Sequence, residues 1–460
     1  LLMTSGLDQW QNPAIDDATA TSDFPLIFWG AMKAGVVPIP LNTLLSASVY
    51  DIILKDSRAS VLFVSSELWP VVEDAARSAP DVRHIVVIGG EAPDGTESFD
   101  AFMAGTEPAA TLDCSCDDVA FWLYSTGQPK GVRHVHGSLQ ATSDTYGVQV
   151  LGIREDDTIF SAAKLFFAYG LGNGMTFPQA AGATAILYGG RPTPETVTEV
   201  LGTEKPTIFC GVPTLYAATV HHYERNGRPE APLRCCISAG EALPEEIGKK
   251  WAALWGVDIL DGVGSTEMLH IFLSNAPGDV VYGTSGKPVP GYEVRLVDED
   301  GADVGPGDVG ELLVRGASAA DGYWNRRDKS RATFEGEWTR TGDKYELTGD
   351  GRYIYCGRTD DMFKVSGIWV SPFEVEQALI GHDSVLEAAV IAQRDEEGLE
   401  KPKAVIVLKD GALRDGLEAE LKDFVKTRVG KWKYPRWIQF ADDLPKTATG
   451  KIQRFKLREM

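Results

Sequence analysis

The sequence predicts an α/β protein. A large N-terminal domain, made of α/β subdomains with a small β-subdomain at its end, precedes a small mobile α+β domain. Three observations point there. From residue 24 to about residue 280, short β-rich apolar runs alternate with helix-like stretches, the pattern of parallel sheets with crossover helices. Over 281–356 short strands are separated by Gly, Pro and Asp turns instead, which marks a β-subdomain. Beyond Gly357-Arg358-Thr359-Asp360-Asp361 lies a compact, Lys-rich tail of about 100 residues, in which Lys451 on a Gly-flanked turn reads as part of a moving lid. The boundaries expected are 1–359 for the large domain and 360–460 for the lid.

Each element has a local reason. Residues 1–23 show no clear period, and the first helix-like pattern begins near Phe24. Ser60–Ser65 and His84–Ile88 are short apolar strands with a helix over Glu67–Ser78 between them. Phe121–Tyr124, Ala185–Tyr188, Thr207–Cys210, Cys235–Ser238 and Asp258–Leu260 are further buried-strand candidates. Glu293–Val297 and Glu311–Arg315 are strands of the β-subdomain. Ser371-Pro372 with Glu374 opens a helix that runs to Ile380, since Ser, Pro and Glu suit the cap and first turn. Strands follow at Ala388–Ala392 and Ala404–Leu408, and Leu417, Leu421, Phe424, Val425 and Val429 form one apolar helical face.

Composition narrows the function classes. The 460 residues can bury a large core, and 43% hydrophobic with 24% charged content is ordinary for an enzyme. A net charge of −22 repels nucleic acid and anionic membrane, so any basic groups that meet a phosphate are few and local. The six cysteines (Cys114, Cys116, Cys210, Cys235, Cys236 and Cys356) form no repeated CxxC pair, which argues against a zinc site or a disulfide framework and fits a reducing cytoplasm. The most apolar run, 24–40, is interrupted by Pro25, Lys33, Pro38 and Pro40, too often for a membrane span, and no secretory signal is visible.

Five stretches carry candidate chemistry. Tyr124-Ser125-Thr126-Gly127-Gln128-Pro129-Lys130-Gly131 follows a strand and offers free backbone N–H groups to a phosphate. Ser238-Ala239-Gly240-Glu241-Ala242 ends another strand in small residues, against which a flat base could lie. Asp261-Gly262-Val263-Gly264-Ser265-Thr266-Glu267 ends a third with a hydroxyl and a carboxylate. Trp338-Thr339-Arg340-Thr341-Gly342-Asp343 places a carboxylate after a turn, and Pro445-Lys446-Thr447-Ala448-Thr449-Gly450-Lys451-Ile452-Gln453-Arg454 closes the lid. Alone, most of these read as ordinary turns, helix starts or solvated charges.

Together they resemble the adenylate-forming acyl-CoA synthetases, and among them the benzoate–CoA ligases, over nearly the whole chain from residue 24. The resemblance implies that ATP, Mg²⁺ and coenzyme A take part. Ser125, Thr126, Gly127 and Lys130 would hold phosphate; Ser238, Ala239, Gly240, Glu241, Asp261, Gly262, Val263, Gly264 and Ser265 would surround the adenosine. Thr266 would bind the α-phosphate and Glu267 the metal. Asp343 would accept both ribose hydroxyls, with Arg358 beside it. Lys451 would stabilise the charge that builds as carboxylate attacks phosphorus. Lys364, Ser366 and Gly367 would line the pantetheine tunnel after the lid turns at Asp360. Two departures stand out. The family's phosphate loop is longer, reading roughly Ser-Ser-Gly-Ser-Thr-Gly-x-Pro-Lys-Gly. A true shortening would weaken pyrophosphate binding, and a longer flexible loop is the reading preferred. Many relatives also carry Tyr at the position of Val263, which removes a ring from the adenine site.

For the acid, amino-acid-activating relatives place an Asp where this chain has Ala168, so a substrate ammonium would have no counter-charge. Phe167, Tyr169 and Phe177 suit a flat ring, Gly264 and Lys451 would lie alongside, and His270 resembles the pocket histidine of the benzoate ligases. Gly172 and Gly174 leave room for small ring substituents. The expected activity is therefore an AMP-forming benzoate:CoA ligase. A stand-alone enzyme loading a carrier protein and a non-catalytic nucleotide-binding regulator are the rivals. Partners would be small molecules, without nucleic acid or membrane, and a homodimer is left open.

Overall fold

The computed structural model describes residues 2–4, 19–104, 107, 110–125, 129–365, 368–409, 411–446 and 452–458. Its largest sheet has seven strands, in the order Lys287–Pro288, Ile271–Ser274, Ile259–Gly264, Cys235–Ser238, Ile208–Gly211, Thr158–Ser161, Thr184–Ile186. The five strands from Ile259–Gly264 to Thr184–Ile186 run parallel, and Ile271–Ser274 turns back antiparallel. Their side chains are apolar on both faces because helices cover both. Ile159, Ile208, Ile237 and Leu260 face one core; Phe160, Phe209, Cys236 and Ile259 face the other, with Tyr216, Trp251 and Trp255. Burying one such side chain contributes about 1.5–3 kcal/mol.

A second, five-stranded parallel sheet holds Val61–Ser65 and His84–Ile88, with the helix Trp69–Ser78 between them. Between the two large sheets lies a small antiparallel one of Val119–Tyr124, Gly131–Val135 and Gly322–Tyr323. The strand expected at Phe121–Tyr124 is thus half of a hairpin rather than a member of a parallel sheet, because only a few residues separate it from its partner and no crossover helix fits.

The β-subdomain is a five-stranded sheet of Glu293–Val297, Val309–Arg315, Trp338–Leu347, Phe334–Glu335 and Tyr353–Arg358. The C-terminal part packs Pro372–Ile380 and Leu417–Val429 on a sheet of Val385–Arg394, Glu400–Leu408 and Trp437–Ala441. Ser371 caps its first helix by accepting from Glu374 N at 3.0 Å. The Glu374 carboxylate instead takes a hydrogen bond from Lys433 Nζ at 2.6 Å. The hairpin Phe363–Val365/Ile368–Val370 backs onto this core through Phe363, Val365 and Val370.

Candidate active site

Two of the candidate stretches, 238–241 and 261–267, lie at the carboxyl ends of parallel strands, where open α/β sheets bind ligands. Strand Cys235–Ser238 runs into Ala239 and Gly240; strand Ile259–Gly264 runs into Ser265, Thr266 and Glu267. Ser265 Oγ accepts from Met268 N at 3.2 Å and closes the turn that presents Thr266 and Glu267. Gly264 is required by packing: a Cβ there would meet His270 O at 2.4 Å. The glycine spacing therefore serves the tight return of strand Ile271–Ser274 as well as any ligand.

Asp261 is buried below this turn. Leu243 N donates to its Oδ2 at 3.3 Å, and its Oδ1, like the Ser238 hydroxyl, has no hydrogen-bond partner among the described residues. Burial pushes the carboxyl up to about 8, so it carries a proton at neutral pH.

Four rings pack together, centred on His270. His270 lies 4.6 Å from Phe177, 5.1 Å from Tyr146 and 5.9 Å from Tyr169, centroid to centroid. Burial holds its imidazole down at about 3, so it is neutral. Two π-helical segments, Ser143–Val150 and Gly172–Thr176, deliver Tyr146 and precede Phe177; such widened turns are frequent at functional sites. Leu269, just before His270, has φ 65, a left-handed conformation uncommon for a residue with a side chain. Tyr169 turns its hydroxyl away from the cluster, donating to Gly211 O at 3.1 Å and Ile237 O at 3.2 Å, so it contributes only its ring face. Phe167 stacks edge-on against Phe166 at 4.5 Å and precedes the short helix that carries Ala168.

On the other side of the turn, Tyr323 Oη donates to Glu267 Oε1 at 2.7 Å. Lys130 Nζ lies 3.4 Å from the same hydroxyl and 3.9 Å from Glu267 Oε1. His134, fully buried and held at about 4 by that burial, has Nε2 2.8 Å from Thr266 O. A neutral ring donates there. Asp343 and Arg358 face each other across the β-subdomain sheet, Arg358 Nη1 donating to Asp343 Oδ1 at 3.1 Å. Asp360 is exposed just beyond this pair.

Ser125 N donates to Lys130 O at 3.1 Å, closing the base of the phosphate-loop candidate. Thr126, Gly127, Ser366, Gly367 and Lys451 lie outside the described residues, as does the Lys364 side chain. No group of three or more His, Cys, Asp or Glu that could hold a metal ion occurs among the described residues. Glu267 alone fits a hard divalent cation that arrives with most of its oxygen ligands on a polyphosphate. Sequence reasoning missed Tyr323, His134 and Tyr146. Gly322-Tyr323-Trp324 follows a strand-poor run, and no spacing linked it to Glu267.

This constellation sits on a chain that belongs to the AMP-binding enzyme family, the adenylate-forming enzymes. The AMP-binding enzyme model matches residues 18–324 and the AMP-binding enzyme C-terminal domain model residues 374–451. The chain is 57% identical over 442 residues to a benzoate–CoA ligase of Thauera aromatica, covering 95% of this chain and 83% of that one. It is 55% identical over 455 residues to a 4-hydroxybenzoate–CoA/benzoate–CoA ligase of Rhodopseudomonas palustris, covering 96% and 83%. A solved benzoate CoA ligase from Burkholderia xenovorans LB400 superposes with TM-score 0.90 at 50% identity, covering 99% of this chain and 89% of that one. The anthranilate CoA ligase AuaEII, solved with anthranoyl-AMP, gives TM-score 0.92 at 43% identity, covering 100% and 86%. The resemblance stated from the motifs, and the fold class with it, are borne out.

Proposed function

We propose that this protein is an AMP-forming acid–thiol ligase that converts benzoate, or a small substituted benzoate, to its coenzyme A thioester. The observation that carries the substrate is the ring cluster of Tyr146, Tyr169, Phe177 and the uncharged His270. Such an apolar cluster suits a flat aromatic ring beside it, while Ala168 offers no counter-charge to an amine.

In the first half-reaction a carboxylate oxygen attacks the α-phosphorus of ATP, and the bond to the β-phosphate oxygen breaks to release pyrophosphate. Thr266 binds the α-phosphate, and Lys451, brought by the lid, neutralises the charge that accumulates on its oxygens. Glu267 would hold the Mg²⁺ that arrives with ATP, whose charge would screen the polyphosphate. Asp343 and Arg358 take the ribose. Ser238 and Asp261 would lie beside the adenine. In the second half-reaction the lid, 360–460, turns about Asp360. Lys364, Ser366 and Gly367 then line the thiol's path, and sulfur attacks the acyl carbonyl as AMP leaves. No helix among the described residues is long and apolar enough to cross a membrane, and the described cysteines are free, which suits a reducing cytoplasm.

Mass spectrometry of a reaction holding benzoate, MgATP and coenzyme A tests this. Benzoyl-CoA with stoichiometric AMP is expected. Benzoyl-AMP accumulating without thioester would overturn the ligase reading in favour of a carrier-loading enzyme.

A further inference from the structure

The segment Ala320–Trp324 touches both charged arms of the nucleotide-site candidate. Its backbone is stitched to each of them: Ala320 N donates to Glu267 O at 2.8 Å, and Trp324 N donates to Gly131 O at 2.8 Å, next to Lys130. The Tyr323 ring is fixed between these stitches. It is buried against Val132, Ala320 and Phe334, and its backbone N–H donates to Ser330 Oγ at 2.9 Å. The hydroxyl is thus held where two charged groups meet. It donates to Glu267 Oε1 at 2.7 Å and lies 3.4 Å from Lys130 Nζ, whose ammonium also sits 4.5 Å over the Tyr323 ring.

Lys130 and Glu267 form a loose ion pair at 3.9 Å, too long for a hydrogen bond and close enough to tighten into one. Both are partly shielded from water, which strengthens their attraction. A contact pair would tie up the groups that the polyphosphate and its metal need.

We propose that Tyr323 is a positioning residue for ATP activation: its hydroxyl and ring hold Lys130 and Glu267 adjacent but short of direct hydrogen-bonded contact, ready for a metal-bound polyphosphate. The inference rests on the nucleotide reading of the site given above. Tyr323 touches no reacting atom and acts through its two neighbours.

The test uses Tyr323→Phe, which keeps the ring, together with Glu267→Gln and the double variant. Calorimetry would measure MgATP binding, and rapid quench the two half-reactions. Tyr323→Phe should weaken MgATP about ten-fold, the scale of one lost hydrogen bond, and raise the Mg²⁺ concentration needed for half-saturation. The melting temperature and conversion of supplied benzoyl-AMP with coenzyme A should stay unchanged. In the Glu267→Gln background, where Lys130 has no charge to collapse onto, Tyr323→Phe should add little. Unchanged MgATP affinity, equal loss in both half-reactions, additivity with Glu267→Gln, or a Tyr323→Phe chain that fails to fold would each overturn the proposal. A wild-type protein that binds no MgATP would overturn the nucleotide reading as well, whereas wild-type binding with a silent Tyr323→Phe would overturn this inference alone.

Discussion

At Gly172 a Cβ would lie 2.5 Å from His270 Cδ2, 2.7 Å from its Nε2 and 3.0 Å from Phe177 Cζ. Gly172→Ala should therefore push the imidazole into the ring cluster. The expected result is a KM for benzoate raised ten-fold or more, about the 1–3 kcal/mol of an overpacked core, with the KM for ATP unchanged; steady-state kinetics in both substrates checks this. A second prediction concerns Asp261. Its carboxyl titrates near 8 in the fold against an ordinary 3.8, so the folded chain holds a proton that the unfolded chain has lost. The associated stability is fully present below pH 3.8 and is lost as pH rises towards 8. Between pH 5 and pH 7 the wild type should lose about 2–3 kcal/mol relative to Asp261→Asn, at 1.36 kcal/mol per pH unit. Urea unfolding of both chains measures the gap, and a gap constant with pH would contradict the burial argument. In the sequence, candidate residues stand out where chemistry and neighbours coincide, as in Thr266-Glu267 or Asp343, and their roles are proposals. Tyr323 meets Glu267 and Tyr146 meets His270 only through the fold, and neither carries a local signal.

The strand Tyr353–Arg358 is anchored to the β-subdomain, and the chain turns immediately after it: Thr359 N donates to Gly342 O at 2.8 Å, and Asp361 N to Arg358 O at 3.0 Å. One residue past the proposed pivot, the Asp361 carboxylate meets Arg454 at 3.5 Å and Arg458 at 2.5 Å, which ties the segment Arg454–Arg458 to the chain just after strand Tyr353–Arg358. Asp360→Pro fixes φ near −65° and holds Thr359 extended. A pivot must change its dihedrals between two postures, so one posture should be lost. The expectation is a persisting burst of pyrophosphate with coenzyme A turnover nearly abolished. Quenched-flow assay of each half-reaction reads this, and wild-type rates in both would move the hinge elsewhere. Elements with a strong apolar run were legible: His84–Ile88, Cys235–Ser238 and Glu293–Val297 have the ends expected. Trp338–Leu347 was not, because alternating charged and polar residues hide a strand whose burial is only partial. The π-helical segments were not either, since a widened turn keeps nearly the same spacing of apolar residues as an ordinary helix.

At the scale of the whole chain, the proposed mechanism needs the C-terminal part to bring Lys451 to the site and withdraw it between the two steps. Lys451→Ala should lower adenylate formation by two or more orders of magnitude, roughly the effect of removing one transition-state stabiliser. It should still convert supplied benzoyl-AMP and coenzyme A to the thioester; equal loss in both steps would argue against alternation. The central claim is that an apolar ring cluster without an acidic counter-charge selects an aromatic acid over an amino acid. The most direct measurement is kcat/KM from pyrophosphate release with MgATP and coenzyme A, using benzoate, phenylalanine and a long-chain fatty acid in turn. Benzoate is predicted to exceed both of the others. A higher kcat/KM for phenylalanine or for the fatty acid would contradict the account.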